Sequence, residues 1–279
     1  MPSDLTSRPV PPAPPFVTSA LRIMDLSLGQ MLWSRRTVFM ALVVSLPVVI
    51  AAATRLLTAL GLPLEGGITG PGAFGFMIWV LYLRFTVPIL GVFYGTSLVA
   101  DEVDDKTITY LFSRPISRGA VVVGKYLAYF VVTTFVVLPS VMLVYLLIVP
   151  IRGDLAGSFI PAVKDLGLLA VGLAVYGGLF AFIGAQFKRP LLIGLVFVFG
   201  WEPAALAFPG YLRRFTLAYY VQALVPHAMP QDSTLSLIQS FFRETPSLLS
   251  SFGWLLVIWF AALSLAARAA ERREYVLEQ

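Results

Sequence analysis

The chain has 279 residues, 58% of them hydrophobic and 13% charged, where a soluble domain holds roughly half and a quarter. Its apolar residues come in runs of about eighteen or more, the length that crosses a hydrocarbon layer, which leaves no room for a sizeable soluble domain. The net charge of +5 fits basic cytoplasmic loops rather than nucleic-acid binding, and the absence of cysteine excludes disulfides, thiolate metal sites and thiol nucleophiles.

Residues 1–20 include Pro9-Val-Pro-Pro-Ala-Pro-Pro15 and read as a disordered, Pro-rich cytoplasmic tail without the apolar stretch of a signal peptide. The first span is therefore expected to stay in the mature protein. Residues 21–36 place Leu21, Met24, Leu28, Met31 and Leu32 at helical spacing, with Arg22, Asp25 and Gln30 largely elsewhere around the helix. Two readings fit: a helix lying in the membrane interface, or an extension of the first span into the cytoplasm.

Six apolar segments follow, at about 37–59, 76–100, 119–149, 166–187, 190–207 and 250–270. The fold class is thus all-α: a polytopic membrane protein with six transmembrane helices in residues 37–270 and a cytoplasmic tail at 271–279. The third segment exceeds what a bilayer needs, so it is expected to tilt, project, or bend at Pro139. An even number of spans puts both termini on one side. That side collects thirteen Lys and Arg, among them Arg35, Arg36, Arg118, Lys125 and Arg268, against six on the other, and is therefore cytoplasmic. The chain is expected in a cell membrane, such as a cell inner membrane. The outer side then holds a Gly/Pro-rich loop near 61–75, a short loop near 150–165, and the semi-apolar stretch 208–249, read as outer interfacial helices.

The connection between the second and third spans is the most specific stretch. Asp101, Glu102, Asp104 and Asp105 form an acidic cluster directly after a span, and Thr107, Tyr110 and Leu111 share one helical face. Ser113-Arg114-Pro115 then stops the helix, because the residue before proline disfavours α geometry. A short, partly apolar cytoplasmic helix tied to a span at each end can dock on a partner and pass rigid-body motion to the bundle.

The pattern Glu102-x-x-x-Lys106-Thr107-x-x-x-Leu111-x-x-x-Pro115-Ile116-x-Arg118, followed by Gly124-Lys125, closely resembles the signature of type-2 ATP-binding-cassette (ABC) exporter permeases. Lys106 stands where that family usually has Gly. The resemblance extends to the N-terminal helix, the six spans and the outer helices. It implies that Asp101, Glu102, Asp105, Lys106, Thr107, Leu111, Pro115 and Arg118, within a segment 100–118, couple the permease to a cytoplasmic ABC ATPase. It implies a second permease, identical or different, and an ATPase partner that supplies the ATP and magnesium sites. The chain itself is expected to bind no cofactor or metal, to have no catalytic residue, and to contact membrane lipids. An apolar interior suits an amphiphilic cargo.

Gly119-x-x-x-x-Gly124-Lys125 mimics a P-loop, but Tyr126 stands where magnesium needs Ser or Thr, so Lys125 is read as reaching lipid headgroups. Arg84 and Glu202 lie inside the second and fifth spans, both placed in the outer half. Either they form an ion pair within the bundle or each snorkels outward by itself. Gly91-x-x-x-Gly95 offers a close-packing face with no evident partner, and His227 reads as a surface residue. An enzyme lacks its parts here. Two rivals to the ATP-driven exporter stay open: an ion-coupled secondary transporter, and a membrane component of an ABC-linked assembly machinery.

Overall fold

The fold is a computed structural model that describes residues 15–32, 34–61, 69–98, 117–207, 211–225 and 246–272. Among these there is no strand. Five helices are long and apolar enough to cross a membrane, and a sixth apolar helix is shorter.

Helix α1 (Phe16–Leu32) begins ahead of the expected residue 21 and ends before the first span. Ser34 is extended (φ −87°, ψ 156°) and its hydroxyl donates to the Met31 carbonyl at 3.1 Å, which separates α1 from α2 (Arg35–Ala59). The reading of 21–36 as an extension of the span is thereby set aside. The buried face of α1 is built from small residues, Ser19, Ala20 and Ser27, so its backbone lies close against α4 (Arg118–Ile148).

Helix α3 (Gly70–Gly95) starts six residues before the expected 76. Thr69 accepts a hydrogen bond from Gly72 N–H at 3.3 Å and Pro71 occupies the first turn, a strong helix start that hydropathy overlooks. The Gly70 N–H donates to the Ile151 carbonyl at 2.7 Å. A Cβ at Gly70 would lie 2.4 Å from the Ile148 carbonyl oxygen, so this approach requires glycine.

Helix α5 (Leu155–Gln186) corrects the expected loop at 150–165. Asp154 caps it, accepting from Ala156 and Gly157 N–H at 3.2 and 2.8 Å. Pro161, Lys164 and Asp165 lower the local hydropathy, yet all lie inside the helix and Asp165 is fully buried. Helix α6 (Pro190–Leu206) is the short apolar one. After a turn at Tyr211–Phe215, α7 (Leu217–Ala223) folds back over α3, α5 and α8 (Leu248–Arg272).

Contacts fix the helix directions. Gly70 meets Ile151 at one end, and Tyr94 Oη donates to the Arg36 carbonyl at 2.6 Å at the other. The second is called here the basic end, since Arg36, Arg118 and Arg268 gather toward it; the first is the far end. The core sits on α3 and α5, each 61% buried over its most apolar window, against 28% for α2 and 17% for α8.

Lipid supplies no hydrophobic drive between helices, so close packing and polar ties hold the bundle. Tyr82, Tyr94, Tyr126, Tyr129 and Tyr176 are its largest buried polar side chains, and each hydroxyl has a partner. Tyr82 meets Ser140 at 3.0 Å, while Tyr126 and Tyr129 donate to the carbonyls of Ala174 and Leu173 at 2.8 and 3.2 Å. Trp259 on α8 donates to Tyr126 at 2.6 Å, linking three helices through one hydroxyl. Gly177 makes this approach possible: a Cβ there would lie 2.0 Å from the Tyr129 ring.

Candidate functional site

Two spans leave α geometry, α3 in two segments, the second at Gly91–Gly95 with no proline behind it, and α6 in one; the first segment of α3 and that of α6 each stand just ahead of a proline. In α3 residues Ile78–Thr86 are π-helical, closing with Val87 N–H on the Tyr82 carbonyl. In α6 Phe197–Trp201 are π-helical, with Glu202 N–H on the Phe197 carbonyl. Pro88 and Pro203 offer no N–H to the carbonyls four residues back and their rings crowd those turns, which a preceding turn widened to a five-residue bond accommodates. Arg84 lies within the widened turn ahead of Pro88 and Glu202 directly follows the one ahead of Pro203.

Glu202 is 5% exposed, which rules out snorkelling to the surface. Its two carboxylate oxygens accept from Tyr176 Oη at 2.9 and 2.8 Å, and Oε1 also accepts from Ala218 N–H at 3.3 Å. The carboxylate thus caps the first turn of α7, where helix N–H groups lack partners. Arg84 lies within electrostatic range of Glu202 and Tyr176. Its own contacts go elsewhere: the guanidinium stacks over Trp79 at 4.9 Å, and with the Gln222 amide assigned so that its oxygen faces the guanidinium, that oxygen accepts from Nε and Nη2 at 3.2 and 3.3 Å.

The structure therefore brings Arg84 and Glu202 into one polar cluster without a direct salt bridge. Each charge has closer neutral partners, and α7 supplies one to each of them. Because α3 begins at Gly70, Arg84 lies near the middle of that helix rather than in its outer part. Tyr176, Gln222 and Trp79 had no signal in the sequence, since an aromatic or amide inside an apolar run looks like any other core residue.

Gly91 and Gly95 pack against α5. Their Cβ atoms would meet Tyr176 Cβ at 3.0 Å and Phe180 Cβ at 2.7 Å respectively. At the basic end, Gly119 and Gly124 lie in the first turns of α4, not in a phosphate-binding loop. A Cβ at Gly124 would stand 2.5 Å from the Ala20 carbonyl oxygen, so this glycine serves the seating of α1. Arg118 opens α4. Asp101, Glu102, Asp105, Lys106, Thr107, Leu111 and Pro115 lie outside the described residues, as do His227 and most of the stretch 226–249. What is described is their frame: the connection leaves α3 after Leu98 and enters α4 at Arg118, both at the basic end.

Beside that connection is a cavity of about 200 Å³ between α1, the start of α2, the end of α3 and α4, with Arg36 and Lys125 among its lining residues. Among the described residues no cluster of acids and histidine suits a metal ion.

A family profile described as ABC-2 family transporter protein matches residues 24–270, from the middle of α1 almost to the end of α8. Comparison with curated proteins finds no match. The matched region takes in every span described above together with the connection between α3 and α4. The chain belongs to the ABC-2 transporter family and is a multi-pass membrane component of an ABC transporter.

Proposed function

We propose that this chain is the permease subunit of an ATP-driven exporter, working as one of two permeases on a separate cytoplasmic ATPase that holds ATP and magnesium. The observation that carries the reading is the family match over 24–270, which includes the whole connection between α3 and α4. The basic end then faces the cytoplasm with both termini, as its surplus of Lys and Arg supports. Residues 100–118 receive the push of the ATPases, and Glu102, Thr107, Leu111, Pro115 and Arg118 carry it.

The geometry gives that push a path. Arg118 is the first residue of a continuous 31-residue helix, about 45 Å long at a rise of about 1.5 Å per residue. Tyr126 and Tyr129 tie that helix to the α5 backbone, so a displacement at Arg118 moves α4 and α5 together. The widened turns of α3 and α6 depart from regular α hydrogen bonding, which suits a rocking motion that opens a far-side path for an amphiphile.

The experiment is co-purification with the candidate ATPase, comparing wild type with Glu102→Ala and Leu111→Asp, followed by ATP hydrolysis in nanodiscs. Wild type retains the ATPase and stimulates it, and the variants lose one or both. A chain that purifies alone and transports on an ion gradient without ATP is a secondary carrier, and the proposal fails.

A further inference from the structure

The cavity at the basic end is walled by Ser27 and Gln30 of α1, Ser34 and Arg36 at the start of α2, Tyr94 of α3 and Lys125 of α4. Its volume of about 200 Å³ has room for a tetrahedral anion and part of what is attached to it. Two cations and several hydroxyls face it, and no carboxylate stands among its described lining residues. The walls are fixed. Tyr94 Oη holds the Arg36 carbonyl at 2.6 Å, Ser34 Oγ holds the Met31 carbonyl at 3.1 Å, and Ser27 is buried against the bundle. Arg36 and Lys125 also have contacts within the protein, so a ligand adds to an existing arrangement.

The depth of the cavity selects the ligand. Arg36 is the first residue of the apolar stretch of α2, and Gly95, next to Tyr94, is the last of that of α3. The cavity therefore sits where the protein surface changes from polar to apolar, the level of lipid headgroups. Around it the surface is greasy: Leu21 and Leu32 of α1 are each 49% exposed and Val38 of α2 is 69% exposed. A soluble anion gains nothing from that surroundings, whereas an amphiphile places its chains there. Basic pockets between membrane helices suit anionic headgroups.

We propose that this cavity binds the phosphate of an anionic membrane lipid, with Arg36 and Lys125 as its cationic contacts and its acyl chains against the exposed apolar side chains of α1 and α2. The proposal does not rest on the export reading, because it is read out by binding alone.

The test is native mass spectrometry of the full-length chain in mild detergent, titrated with phosphatidylglycerol, with phosphatidylcholine, and with inorganic phosphate. Phosphatidylglycerol gives one preferred adduct that phosphatidylcholine does not, and Lys125→Gln or Arg36→Gln each weakens it by about fivefold. Gln30→Glu puts a carboxylate into the cavity at an exposed, fold-neutral position and abolishes the preference, while Lys125→Arg keeps it. Arg189→Gln, a basic residue outside the cavity, leaves it unchanged. Equal binding of the two lipids overturns the proposal, as does a preference that survives Gln30→Glu or is lost equally in Arg189→Gln. Displacement of the lipid by millimolar inorganic phosphate shows a soluble phosphate ester as the ligand and overturns the lipid assignment.

Discussion

Tyr176 on α5 gives its hydroxyl to both carboxylate oxygens of Glu202 on α6, at 2.9 and 2.8 Å, and both residues are buried. The acid is the one strongly buried charge of its polar cluster, and it ties three elements at once: its own helix, α5 through Tyr176, and α7 through Ala218. Tyr176→Phe removes one donor and leaves the carboxylate short of a partner. The expected loss is about 1–2 kcal/mol of unfolding free energy, in the upper range for a single hydrogen bond inside a membrane protein. Glu202→Gln keeps a polar acceptor and loses less. In a double-mutant cycle by denaturant unfolding in detergent, the two changes are coupled; additive effects show that the contact carries no net stability.

Arg84 makes its close contacts with Trp79 and Gln222, not with Glu202. The charge-swapped pair Arg84→Glu with Glu202→Arg therefore does not rescue folding, because it places a carboxylate over an indole face and a guanidinium among the N–H donors of α7. Arg84→Lys keeps the charge but loses the flat fork and the stacking. It is expected to lower the melting temperature in detergent while leaving expression intact, whereas Gln222→Glu, which strengthens the acceptor facing Arg84, does not. Recovery in the swapped pair means the two charges act on each other directly and sinks this account.

The wedge of glycines on α5 makes a sharp comparison. At Gly184 a Cβ would stand 2.4 Å from the Thr96 carbonyl oxygen, which is backbone and cannot yield. Gly184→Ala should cost about 1–3 kcal/mol by overpacking. Gly167, on the same helix, has nothing within 4 Å, and Gly167→Ala is expected to be neutral or to stabilise by about 0.5–1 kcal/mol through helix propensity. Thermal melts of the two variants in one detergent settle whether α3 and α5 pack as closely as described; equal melts show they do not.

The all-helical, multi-span class follows from apolar runs alone, because length and hydropathy are additive properties of a segment; of the six expected spans, five described helices are long enough to cross and the sixth apolar helix is shorter. Helix starts were less legible. Thr69-Gly-Pro and Gly153-Asp154 are sound start signals, but they stand beside residues that lower hydropathy, and a hydropathy window averages over them. Arg84 and Glu202 stand out as charges in apolar runs, and each has its close contacts with other residues. Tyr176, Gln222 and Trp79 do not stand out, since the helix that brings Gln222 to Arg84 is a seven-residue turn whose position depends on tertiary packing. The glycines of the P-loop look-alike are visible too, but packing explains them: Gly124 by the approach of α1 and Gly119 chiefly by that of Glu271 and Ala267 on α8.

Pro88 and Pro203 each stand directly behind a widened turn, so their removal tests what those turns do. Pro88→Ala restores an N–H for the Arg84 carbonyl, and Pro203→Ala restores one for the Phe199 carbonyl. Each allows the preceding turn to close to ordinary α geometry. The gain in regular hydrogen bonding keeps or raises the melting temperature in detergent. Closing a π turn also rotates everything before it relative to everything after it, so Arg84 turns away from Gln222 or Glu202 away from Tyr176. In the exporter reading the variants therefore bind the ATPase as wild type does but couple poorly: ATP hydrolysis continues while transported amphiphile per ATP falls several-fold. The same variants with undiminished transport show that the π turns are packing adjustments to proline and have no part in the motion. Variants that lose the ATPase altogether place the effect at the ATPase contact and overturn the assignment of the π turns to the motion.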